Sequence, residues 1–138
     1  MKKSILMLIF VLVTGLLYAQ DISGTWTLSS VELKKVKYGD TDTVSVSYSS
    51  SLFKSLDTGL FESFTLNVDG TCLMEGEYSG TYSLENQNLI VNILPIPHSY
   101  LVQKATNEKL IVSKEFWSSD ESYIPYHYKA ECSYSKKR

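Results

Sequence analysis

Beyond residue 20 this chain has no window with a long helical stripe, so neither a helical bundle nor an α/β domain is expected. Chemistry-bearing residues are sparse. There are two cysteines and two histidines. C-x-x-C, H-E-x-x-H, G-x-S-x-G and glycine-rich phosphate loops are all missing, which leaves zinc, thiol-redox, serine-hydrolase and nucleotide chemistry without their residues. Arg138 is the sole arginine. No basic excess points to nucleic acid or to an anionic membrane. Asp40 and Asp42 lack the glycine and distal glutamate of a calcium loop and read as a solvated turn. Glu75 and Glu77 alternate outward and face no opposed carboxylate, so a glycosidase pair is not expected. The expectation is a protein that is not an enzyme and carries no cofactor or metal.

What is present begins with an export pattern. Lys2-Lys3, the apolar run from Ile5 to Leu17 and the small residue Ala19 follow one another as n-region, h-region and cleavage site. Residues 1–19 are expected to be a signal peptide and 20–138 the folded domain, periplasmic or secreted. The apolar run falls short of the roughly 20 residues of a spanning helix, so stable membrane insertion is not expected. Removing Lys2 and Lys3 from 13 Lys+Arg leaves 11 against 15 Asp+Glu, a mild negative charge that favours solubility. In an oxidising compartment Cys72 and Cys132 are expected to form a disulfide; the alternative is two buried thiols packed as small hydrophobes. Composition sets no oligomeric state.

Short alternating runs separated by turn residues recur about every ten positions, the pattern of an all-β sandwich or barrel. In the first run Trp26 and Leu28 share a face, then the apolar parity moves to Val31 and Leu33, which predicts a bulge near Ser29-Ser30. Residues 38–51 are polar and predict a turn and an edge-like strand. Residues 51–59 predict one short helix, with Leu52, Phe53 and Leu56 on one face and Gly59 as its stop, a candidate lid over a barrel mouth. In the hairpin from Phe61 to Gly76, a three-residue loop with Gly70 in the left-handed conformation pairs Leu66 with Cys72 and Phe64 with Met74, which keeps one face apolar. Pro95-Ile96-Pro97 is expected to end a strand, leaving His98 in a loop. The last run, Tyr126 to Tyr134, has the cleanest alternation. Its inner side carries Tyr126, Tyr128, Ala130, Cys132 and Tyr134, and His127 falls on its polar side.

Gly24-x-Trp26 opening the first strand, F-T-L-N-V-D-G-T (64–71), G-T-Y-S-L (80–84), N-L-I-V (88–91) and K-L-I-V (109–112) occur in an order that resembles the small exported bacterial lipocalin-like β-barrel proteins. The resemblance implies an antiparallel up-and-down barrel of about eight strands with one short helix, in which Trp26 packs across the closed end. Classical lipocalins add a T-D-Y-like motif and a last-strand arginine stacked on that tryptophan; neither is found here, so support for Trp26 is expected near Tyr134 and Cys132. A barrel of this size encloses packed side chains or one small ligand. Phe53, Phe64, Leu66, Met74, Tyr82, Val91, Val112, Tyr126 and Tyr128 are the expected lining, suited to a small hydrophobic or amphipathic molecule, with Trp26, Cys72 and Cys132 in structural roles. The competing expectation is a filled barrel that binds protein through loops near Tyr38 to Tyr48 and Trp117 to Tyr126, as an inhibitor or envelope-complex component.

Overall fold

The computed structural model describes residues 21–49, 55–93, 96–119 and 121–138. The expected signal peptide, Leu52, Phe53 and the side chain of Leu56 lie outside the described residues. Nine strands follow one another: β1 (Gly24–Lys37), β2 (Thr43–Val46), β3 (Ser63–Leu66), β4 (Thr71–Met74), β5 (Tyr78–Glu85), β6 (Asn88–Ile93), β7 (Ile96–Ala105), β8 (Lys109–Ser119) and β9 (Pro125–Lys136). One helical turn, α1 (Ser55–Thr58), stands between β2 and β3. All pairings are antiparallel, and the order β1-β3-β4-β5-β6-β7-β8-β9 closes through β1–β9. Closure makes an eight-stranded barrel. β2 is an extra edge strand beside the far half of β1, where Leu33 faces Val46 and Val36 faces Thr43.

Local turn and parity signals set most of the register. Leu66 faces Cys72 and Phe64 faces Met74, with Gly70 at φ 87°, a conformation glycine adopts without steric cost. The predicted bulge lies between Leu28 and Ser30, where Ser29 is the extra residue and its hydroxyl donates to the Ser133 carbonyl at 2.8 Å. Past the bulge, Val31, Leu33 and Lys35 oppose Cys132, Ala130 and Tyr128, so the apolar sets of β1 and β9 stay on one face.

The strand before the proline run ends as expected, β6 stopping at Ile93, but His98 is not in a loop: β7 begins at Ile96, Pro97 pairs with Asn92, and His98 is a buried strand residue opposite Val91. Proline is tolerated there because β7 pairs with β8 only from Leu101 to Ala105, leaving residues 96–100 a neighbour on one side alone. Likewise β8 beyond Ser113 pairs only with β9. The wall is therefore split between the start of β7 and the end of β8.

The expected disulfide is also absent: Cys72 and Cys132 both face the interior and are buried, but each is a free thiol. They sit on β4 and β9, with β3 and β1 between them. Three inter-strand steps of about 4.8 Å separate those strands around the wall, whereas a bridge needs Cα atoms within about 7 Å.

Candidate functional site

Trp26 anchors the end of the barrel where β1 begins. It is fully buried, and its indole N–H donates to the Ile22 carbonyl at 2.9 Å. That bond ties the lead-in segment to the core and satisfies the indole's one polar atom. The support expected from Tyr134 and Cys132 is supplied instead by Lys136, whose ammonium lies 5.5 Å from the centre of the indole ring, a cation-π contact in the position an arginine would fill. Tyr134 packs one strand over, edge-on to Phe64 at 4.8 Å.

The interior above Trp26 is filled by a segment outside the wall. Residues 58–61 enter from α1, and Thr58, Leu60 and Phe61 are buried, the last two at 1% and 2% exposure. Two barrel tyrosines hold this segment by its backbone: the Tyr100 hydroxyl donates to the Gly59 carbonyl at 2.5 Å and the Tyr134 hydroxyl to the Phe61 carbonyl at 2.7 Å. Burial pushes both phenols well above their usual range, so both stay protonated donors at neutral pH. Within the segment the Leu60 N–H donates to the Thr58 hydroxyl at 3.3 Å. Gly59 has φ 75°, and a Cβ there would stand 2.7 Å from His98 Nδ1, 2.7 Å from Lys114 Cε and 2.9 Å from the Tyr100 hydroxyl. Only glycine lets the backbone come this close.

Those three side chains form the polar part of the site, at the split between β7 and β8. Lys114 Nζ is 3.3 Å from His98 Nδ1 and 4.7 Å from the centre of the Tyr100 ring, and the His98 ring meets Phe61 edge-on at 5.8 Å. Burial lowers the Lys114 amine from 10.5 to about 8, since the charged form loses solvation. Lys114 pairs with Ala130 and faces inward like Leu110 and Val112, whose alternation it continues.

Of the expected lining, Phe64, Met74, Val91 and Val112 do converge, together with Phe61, Leu89, Tyr100 and Tyr134, around a void of about 10 Å³. That space holds roughly one water, against about 300–1,000 Å³ for a small-molecule pocket. Leu66 is buried in the same core. Tyr82 is committed elsewhere, its hydroxyl donating at 2.7 Å to the Asn67 carbonyl of the β3–β4 turn. Tyr128 and Tyr126 lie higher, toward the mouth, where Phe116 stacks on Tyr128 at 5.1 Å and Lys35 sits 4.4 Å over Tyr126. Leu60, Phe61, His98 and Tyr100 are not among the expected lining; the sequence pattern puts Phe61 only at the start of a hairpin and His98 in a loop. In the sequence Lys114 is a charge that breaks the apolar alternation of Leu110 and Val112.

An independent match agrees with this geometry: the model of the lipocalin-like domain aligns with residues 22–112, from the lead-in to Trp26 through β8's apolar start. The chain belongs to the lipocalin-like family. No curated protein and no solved structure matches it. A lipocalin-like barrel suggests ligand binding in general, and the interior described above is the place in this lipocalin-like chain where apolar walls and convergent polar groups coincide.

Proposed function

We propose that this is an exported lipocalin-like protein that binds a small hydrophobic or amphipathic molecule inside its barrel when residues 58–61 withdraw. The observation that carries the reading is the inserted segment itself. A barrel interior occupied by Leu60 and Phe61, and tied to that occupant through two tyrosine hydroxyls, is a site whose contents belong to a loop rather than to the wall. Export rests on Lys2-Lys3, the run from Ile5 to Leu17 and Ala19. Native mass spectrometry of protein purified from its own host tests both parts. The expected spectrum shows a chain lacking its first nineteen residues, with a fraction carrying one small molecule that denaturing conditions release. A full-length chain refutes export, and a bare barrel that gains no mass with any amphiphile added in excess refutes the binding reading.

A second reading is favoured by one surface. Tyr38 and Trp117, at 71% and 60% exposure, lie 6.1 Å apart, and Trp117 also meets His127 at 5.1 Å on the outer face of β8 and β9. Aromatic groups so placed suit a protein contact. In that case Trp117→Ala abolishes partner capture and leaves any interior ligand in place.

A further inference from the structure

The inserted segment stands where a ligand would, and its chemistry describes that ligand. It presents carbonyl oxygens to Tyr100 and Tyr134 and apolar bulk to Phe64, Met74, Leu89 and Val91. It offers no negative charge to Lys114. Among the described residues the ion pairs are Lys34 with Glu32 and Arg138 with Glu108, both on the surface. The Lys114 ammonium has an imidazole nitrogen and an aromatic face as neighbours, and among the described residues no carboxylate lies within ion-pair distance of it. A partly buried cation beside the Tyr100 phenol, above an apolar interior, is arranged for an anion with an apolar tail.

We infer that residues 58–61 are an internal stand-in for an amphipathic carboxylate, which displaces them, sets its carboxylate against Lys114 and the Tyr100 hydroxyl at the β7–β8 split, and runs its alkyl chain into the space of Leu60 and Phe61. This rests on the reading of the interior as a binding site. Gly59 is the pivot the exchange requires, since the three groups pressed against its Cα are the ones the carboxylate would meet. Burial lowers the Lys114 amine to about 8, so at neutral pH most of the population still carries the proton, and an incoming carboxylate raises that fraction further.

Calorimetric titration of the mature chain with dodecanoate and with 1-dodecanol, equal in tail and different in head, tests the assignment. Dodecanoate is expected to bind about tenfold or more tighter, the scale of one charge-assisted contact. The acid-to-alcohol ratio should collapse to within about threefold in Lys114→Met, and fall in Tyr100→Phe, which removes a hydroxyl and little volume. Saturating dodecanoate should also open the chain to chymotrypsin after Leu60 or Phe61. Equal binding of acid and alcohol, or an unchanged ratio in Lys114→Met, overturns the carboxylate and leaves the binding reading intact. Tight dodecanoate binding with Phe61 still resistant to chymotrypsin overturns the displacement. Binding of neither probe, to the native protein or to Phe61→Ala with its plug truncated, overturns this inference and the binding reading together.

Discussion

Trp26 and Lys114 show how single side chains divide the work of the barrel. Trp26 is fully buried with its indole nitrogen satisfied, so Trp26→Ala removes a large packed volume and strands the Ile22 carbonyl. It should cost about 3–5 kcal/mol in a denaturant melt, and a loss under about 1 kcal/mol would make the residue peripheral. Lys114 works the other way. In the unfolded chain its amine holds a proton up to the ordinary 10.5, whereas in the folded protein burial releases it at about 8. Between those values the unfolded state binds more protons, so stability rises with pH across that window and its benefit is lost as pH falls through 8. Tyr100 and Tyr134 have raised phenols, which add stability below the usual tyrosine value near 10 and lose it above. The buried thiols, raised from 9.0 and Cys132 to about 11, likewise add stability that is lost above about pH 9. The melting temperature is therefore expected to climb from about pH 8 toward 9 and then to level off and drop, and Lys114→Met should flatten the climb. A native profile flat from pH 8 to 9, and unchanged in Lys114→Met, would show that the amine is solvated.

Among the elements, the segment from α1 to Phe61 differs most from its expectation. The composition of residues 51–59 suggested an amphipathic lid across the mouth, and the helical turn and its glycine stop are present at Ser55–Thr58 and Gly59. The chain then turns inward, and the residues that fill the barrel are Leu60 and Phe61, just beyond the predicted lid. Gly59→Ala would force a side chain into a left-handed backbone and against His98, Lys114 and the Tyr100 hydroxyl. A cost of about 1–3 kcal/mol is expected, with amide exchange at Leu60 and Phe61 quickened and the β8–β9 ladder still protected. Unaltered exchange would mean that the segment repacks without its pivot. The hairpins, by contrast, were legible beforehand: Gly70, the pairing of Phe64 with Met74 and the bulge at Ser29 all follow from turn chemistry and from keeping one face apolar. The proline run does end β6, but it misled about His98, because only the split from β8 creates a one-sided stretch in which Pro97 can sit inside the next strand.

Closure governs the molecule as a whole, and the two thiols record its geometry. Both cysteines face inward as the alternation of β4 and β9 required, yet strands β3 and β1 hold them apart. Burial raises both thiols, Cys132 to about 11, which keeps them protonated and poorly nucleophilic. Native protein should resist maleimide, unfolded protein should take up two equivalents, and intact mass should not change on reduction. A two-hydrogen mass gain on reduction would contradict this arrangement. Sequence by itself determined the all-β class, the register of β3 with β4, the bulge in β1 and the inward face of β9, because each depends on period-2 alternation or on a turn a few residues long. Tertiary structure alone decided that Lys136 covers Trp26, that the cysteines stay apart and that His98, Tyr100 and Lys114 gather around Gly59. These contacts join residues brought together by barrel closure and by the break between β7 and β8, and no local pattern specifies how far around a closed wall two inward-facing side chains will stand.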